Sequence, residues 1–180
     1  MALNRETLIA FSKGDRAAFD KVYAAYSPGM FGVSLRYTRC EDDAKDVLQE
    51  SFIRIYENSG TYNTDLPFGP WIKTIVIRTA LNYIRSNYRF VLTDNDSRFD
   101  HEVTEDTQHD QLEDYKKHLL QVLQKLPDGY RTVFNLYTID NLTHKEIAEH
   151  LGISEGTSKS QYFKAKKMIQ EMLETVKTER

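Results

Sequence analysis

One cysteine in 180 residues leaves no disulfide framework, and Cys40 alone cannot build a thiolate metal cage. Such a chain suits a reducing compartment, and the cytoplasm is the expected location. Glycine (8) and proline (4) are scarce, which argues against a turn-rich β protein and for helices. No stretch approaches the roughly 20 apolar residues of a membrane span, and Met-Ala-Leu-Asn-Arg-Glu holds no signal-type apolar core. No membrane insertion is expected. A phosphate-binding glycine loop and a nucleophile elbow are both missing. The histidines His101, His109, His118, His144 and His150 are scattered, and each reads as a solvated surface residue. His144 and His150 stand six apart, which is not a one-face ligand spacing. The expectation is no catalytic residue, no metal, no cofactor and no enzymatic activity.

What is present is unevenly distributed charge. The net charge is −3, but residues 90–114 alone carry nine acidic side chains against Arg98. Residues 1–89 come to +2 and residues 115–180 to +3. Phosphate neutralisation drives most non-specific DNA binding, so flanks this weakly basic predict poor autonomous affinity. DNA recognition would need a partner.

The acidic stretch from Val91 to Asp114 has few apolar residues and no helical stripe, and reads as a flexible linker. It separates two helical modules. In the first, Asp15 is placed to cap a helix bearing Phe19, Val22, Tyr23 and Tyr26 on one face, with Pro28-Gly29 breaking it before Phe31, Val33, Leu35 and Tyr37. Asp42 is placed to cap the next, where Ala44, Val47, Leu48, Ser51, Phe52, Ile55 and Tyr56 recur at helical period and Asn58-Ser-Gly60 ends the run. A long helix should start near Phe68–Pro70, with Trp71, Ile72, Ile75, Val76, Ala80, Leu81 and Ile84 inward, Trp71 thus belonging to the core. Lys73, Arg78, Arg85 and Arg89 leave it a cationic side.

In the second module, Leu119 to Leu126 end a helix before Pro127, and Asp128 reads as the cap of the next, with Val133, Phe134 and Tyr137 inward. Then comes Thr143-His-Lys-Glu-Ile-Ala-Glu-His-Leu-Gly-Ile-Ser154. Thr143 and Glu146 have capping-box spacing, Gly152 suits a left-handed stop, and Ser154 suits the following N-cap. That is the layout of a helix-turn-helix, whose second helix enters the major groove. On it, Tyr162, Ala165, Ile169 and Met172 form the inward face.

Three patches together resemble extracytoplasmic-function (ECF) sigma factors, small bacterial promoter-recognition subunits of RNA polymerase. Asp43-Ala-Lys-Asp-Val-Leu-Gln-Glu-Ser-Phe-Ile-Arg-Ile-Tyr56 is similar to the family's polymerase-binding helix. Phe68-Gly-Pro-Trp-Ile-Lys-Thr-Ile-Val-Ile-Arg-Thr-Ala-Leu-Asn-Tyr-Ile-Arg85 is similar to its minus-ten helix, and Leu126-Pro through Ser160 to its minus-thirty-five module. The resemblance implies an all-α fold of two small helical domains: sigma region 2-like over 1–90 and a region 4-like helix-turn-helix over 112–180. A flexible acidic linker over 91–111 joins them and lies in the RNA-exit path, where its charge resembles nucleic acid. It implies core polymerase (clamp helices and flap), promoter DNA as duplex and melted strand, and an anti-sigma factor as partners, with a monomer when free.

Carried over residue by residue, the resemblance gives Asp46, Gln49, Glu50 and Arg54 to polymerase binding; an ordinary solvated helix face is the alternative. It gives Tyr62, Asn63, Thr64 and Asp65 to a pocket for an unstacked base. Lys73, Arg78, Asn82, Arg85 and Arg89 fall to the melted strand, where cations track phosphates. Lys159, Ser160, Gln161, Phe163, Lys164 and Lys167 fall to the duplex. Ser160 can bond a base edge, Phe163 can touch thymine methyls, and lysines suit phosphates. Ser158 stands where the family usually has valine, putting a hydroxyl on the inner face. The rival functions are a stand-alone helix-turn-helix regulator and a helical adaptor that binds protein alone.

Overall fold

Local capping sets where the first helices begin. Asn4 accepts the Thr7 N–H at 2.9 Å and opens α1 (Arg5–Ser12). Gly14 follows at φ +82°, a backbone that glycine adopts without Cβ strain. Asp15 then accepts the Ala18 N–H at 2.7 Å and opens α2 (Arg16–Tyr37) as its position in the sequence suggests. The computed structural model describes residues 3–87 and 111–178. The chain divides into two units, Met1–Tyr88 and Arg89–Arg180, and the described residues are helical with no strand.

Two expectations for the first unit are corrected. Helix α2 does not break at Pro28-Gly29 but runs through them. An interior proline removes one helix hydrogen bond, a cost of about 3 kcal/mol. Burial on both sides of it offsets that cost: Ala18 and Val22 before, Val33, Ser34 and Tyr37 after. Helix α3 (Glu41–Glu57) starts two residues earlier than a cap at Asp42 allows; Cys40 is the N-cap, without a side-chain bond. Glu41, Asp42 and Asp43 occupy its first turn instead, where carboxylates complement the helix dipole.

A 3-10 turn (Ser59–Thr61) leads to α4 (Phe68–Asn87). Helices α2, α3 and α4 pack on one another, around Val22, Tyr37, Val47, Ile55, Ile72, Val76 and Ile84. One end is sealed by an aromatic knot in which Phe11, Tyr26 and Tyr62 meet Phe68 at ring-centroid distances of 5.3, 5.2 and 4.9 Å. Trp71 packs on the same rings, 5.2 Å from Tyr62, in keeping with a core role.

The second unit contains α5 (Gln111–Gln124), α6 (Asp128–Phe134), a π-helical turn (Asn135–Ile139), α7 (His144–Leu151) and α8 (Glu155–Thr178). The linker reading over 91–111 lies outside the described residues, except that Gln111 opens α5; residues 111–114, grouped with the acidic stretch by charge, are helical. The core is Val122, Leu123, Leu126, Ala165 and Ile169, with Phe134 and Met172 against it.

Asp128 does not cap α6. It is the buried first residue of that helix, behind Pro127, and its carboxylate pairs with the guanidinium of buried Arg131. Arg131 also donates to the Leu126 carbonyl at 3.0 Å and the Gln124 carbonyl at 3.2 Å, closing the end of α5. Tyr137, expected inward, is exposed. The π-turn, closed by the Asp140 N–H on the Asn135 carbonyl at 3.0 Å, breaks the 3.6-residue period on which that expectation rested.

Candidate polymerase and nucleic-acid interfaces

Helix α3 turns one face to the core and the opposite face to solvent. Asp46, Gln49 and Glu50 are exposed on the outer face. Arg54, half-buried, donates to Glu50 at 2.8 Å one turn away. At their centre the structure adds Ile53, 48% exposed, a residue that sequence reasoning passed over. Spacings of four and three put Asp46, Glu50 and Ile53 in one line. The available signal was an isoleucine off the apolar stripe. Behind this face the Tyr83 hydroxyl donates to Asp43 at 2.8 Å, tying α4 to α3. Burial, then that bond, pushes the phenol up to about 12.

On α4, Arg78, Asn82 and Arg85 form one exposed line at spacings of four and three. Lys73 does not join them; it is half-buried, about 140° round the helix from Arg78 at 100° per residue. Arg89 lies outside the described residues.

The loop before α4 separates its four candidates. Tyr62 is buried in the aromatic knot, its hydroxyl donating to the Leu66 carbonyl at 2.6 Å, and burial raises its pKa. It therefore faces no solvent pocket, and its ring closes the core instead. Asn63 and Asp65 are exposed and Thr64 half-exposed. The Asn63 side chain accepts the Asp65 N–H at 3.0 Å, and the Asp65 carboxylate pairs with Arg5 of α1 at 2.8 Å. Of the four candidates for a base pocket, Asn63, Thr64 and Asp65 remain at the surface, as a braced turn.

The helix-turn-helix forms with its expected local chemistry. Thr143 N–H donates to the Glu146 carboxylate at 2.8 Å while Glu146 N–H donates to the Thr143 hydroxyl at 3.3 Å. Gly152 stops α7 at φ +67°, and Ser154 accepts the Thr157 N–H at 3.0 Å. On α8, Lys159, Ser160, Phe163 and Lys167 are exposed and Lys164 is half-buried. Lys159 pairs with Glu155 at 2.7 Å, and Lys167 lies 3.7 Å from Glu171. Gln161 is corrected: it is buried, its amide lying where a Cβ on Gly129 would stand 3.2 Å away. Ser158, Gln161, Ala165 and Ile169 make the buried stripe of α8 at spacings of three and four, and Gln161 falls within it.

His144 is also corrected, since it is not a solvated surface residue. Its ring stacks on Tyr137 at 4.4 Å and 14°, and Nδ1 is 2.9 Å from the hydroxyl of fully buried Ser158. The Ser158 hydroxyl therefore has a partner across the two helices of the motif. Burial first, then Lys159, holds the His144 pKa below its ordinary value, with Glu155 opposing. A histidine whose folded pKa is depressed binds fewer protons folded than unfolded, so stability falls as pH drops below about 6.5 and levels off beneath the folded pKa. The second unit should unfold at lower urea at pH 5.5 than at pH 7.5, and His144→Asn should flatten that difference. Glu146 and Glu155, both held low chiefly by side-chain hydrogen bonds, act only in the carboxylate range below this window. Urea titrations at the two pH values measure the effect.

Comparison with known proteins places the chain in a family. Residues 22–90 match the family model "Sigma-70 region 2", and residues 117–169 match "Sigma-70, region 4". The RNA polymerase sigma-H factor of Pseudomonas aeruginosa is 30% identical over 172 residues, covering 90% of this chain and 89% of that protein. The ECF RNA polymerase sigma-E factor of Haemophilus influenzae is 26% identical, covering 90% of each. Among solved structures, the sigma factor RpoE in complex with the anti-sigma factor NepR from Bartonella quintana has a similar fold, with TM-score 0.51 and 23% identity over 87% of this chain and 96% of that one. The relatives are sigma factors rather than enzymes, and no described helix of this chain is long and apolar enough to cross a membrane. With both sigma regions matched in order and a full-length relative at 30% identity, the chain belongs to the extracytoplasmic-function sigma factors, promoter-recognition subunits of RNA polymerase.

Proposed function

We propose that the chain binds core RNA polymerase through the outer face of α3, with Asp46, Gln49, Glu50 and Arg54 around Ile53. In this reading, residues 1–90 hold polymerase and the melted minus-ten strand, residues 91–111 are the tether, and residues 112–180 read the minus-thirty-five duplex. Asn63, Thr64 and Asp65 meet an unstacked base, while Arg78, Asn82, Arg85 and Arg89 track the strand beside them. Helix α8 enters the major groove with Lys159, Ser160, Phe163, Lys164 and Lys167 outward. The observation that carries this reading is the capped helix-turn-helix, with Lys159, Phe163, Lys166 and Lys167 exposed on its second helix. It works in the cytoplasm, without catalysis of its own. An anti-sigma factor covers these faces when the chain is held inactive; the RpoE–NepR complex is the precedent for such a partner.

In-vitro transcription with core polymerase tests the reading. Adding the chain should produce initiation at discrete promoters that core alone ignores. The free chain should bind the same DNA poorly, because its modules are only weakly basic. Tight, sequence-specific binding without polymerase would instead support a stand-alone regulator.

A further inference from the structure

The first turns of α8 hold the side chains able to reach base edges. At about 100° per residue, Gly156, Lys159, Ser160, Phe163 and Lys167 share one outward face with Phe163 at its centre. Phe163 is 71% exposed, more than any other large hydrophobic side chain among the described residues.

The polar readers around it are few. Residues 155–168 contain no arginine and no asparagine, and their one glutamine, Gln161, is turned into the core. The face therefore offers no planar guanidinium fork for guanine and no amide for the two-bond recognition of adenine. The Ser160 hydroxyl donates to the Thr157 carbonyl at 3.0 Å. Lys159 and Lys167 have carboxylates one turn away, at 2.7 and 3.7 Å. What remains, with no polar partner to satisfy, is the ring of Phe163. Among the groups displayed in the major groove, the apolar one is the thymine C5 methyl. The lysines on both sides of the ring fit a polyanion better than an apolar protein surface. Gly156, on the same line two turns earlier, carries no side chain, and a Cβ there would meet only the Ser154 hydroxyl, at 3.7 Å, so the backbone there can approach the groove closely.

Resting on the duplex-reading role given to α8, we infer that the promoter element is selected through thymine methyls contacted by Phe163, the specificity-determining residue of this helix. Guanine-directed contacts are secondary to it.

The test uses the full chain with core polymerase. Promoters are first selected by transcription from a pool randomised across the duplex element. Each thymine of the winners is then replaced by uracil, which removes the methyl and nothing else. At one or two positions uracil should lower specific initiation about fourfold, the worth of one buried methyl-sized group. Phe163→Ala should cause a similar drop on thymine templates and make thymine and uracil equivalent. Phe163→Leu, still apolar, should keep the preference. The side chain is exposed and alanine favours helices, so the melting temperature of Phe163→Ala should not fall. Uracil that is neutral at every position overturns the inference. So does Phe163→Ala with unchanged promoter discrimination, which would leave the ring to a protein partner. A chain that never associates with core polymerase fails at the earlier step and overturns the docking role instead.

Discussion

Arg131→Ala should unfold the C-terminal unit while leaving the N-terminal unit intact. The Arg131 side chain is 0% exposed, and three acceptors depend on it. They are the buried Asp128 carboxylate and the carbonyls of Leu126 and Gln124 at the end of α5. Truncation strands a carboxylate in the core and leaves two helix-end carbonyls without this donor. Breaking a buried pair from one side costs about 3–5 kcal/mol. A small domain has little more than that in total, given 5–15 kcal/mol for typical folded proteins. Arg131→Lys keeps the charge but not the planar fork, so it should recover only part of the loss. The chain's only tryptophan, Trp71, reports on the first unit. Its fluorescence transition in urea should stay in place while helical circular dichroism falls. A C-terminal unit that keeps its native midpoint would show that Arg131 is dispensable.

That arginine also marks where sequence reading stops. Features set by a few neighbouring residues were legible. Asp15 as a cap, the Thr143–Glu146 box and the Gly152 stop are each fixed by backbone groups within one turn, and each forms as expected. Asp42 and Asp128 have the same capping chemistry yet cap nothing. Asp42 sits in the first turn after Cys40, and Asp128 is claimed by a buried guanidinium. Pro28 misled in the same way, since packing along α2 outweighs a local preference for breakage. The interfaces divide by the same rule. Exposed lines such as Arg78–Asn82–Arg85 follow from helical period alone. Tyr62 and Gln161 were misassigned because their direction is set by residues distant in sequence: an aromatic knot for one, Gly129 for the other. His144 became a structural group only once Ser158 was placed beside it.

Ile53→Glu should weaken binding to core polymerase by about 2 kcal/mol or more, roughly 30-fold in Kd, without destabilising the chain. Interfaces gain most from a desolvated apolar centre, while charges at the rim chiefly set approach and salt dependence. On α3, Ile53 is the apolar centre, and Asp46, Gln49 and Glu50 stand around it. Because Ile53 is 48% exposed and glutamate is a good helix former, the substitution removes little from the fold itself. Glu50→Lys reverses a rim charge already shared with Arg54 at 2.8 Å. It should weaken binding less than Ile53→Glu at physiological salt, mostly through the association rate, and the gap should widen as salt is raised. Competition of each variant against the native chain for core polymerase, at two salt concentrations, separates the two contributions. If Ile53→Glu competed as well as the native chain while Glu50→Lys did not compete at all, docking would be electrostatic. If neither mattered, this face of α3 would be solvated surface and the docking face would lie elsewhere.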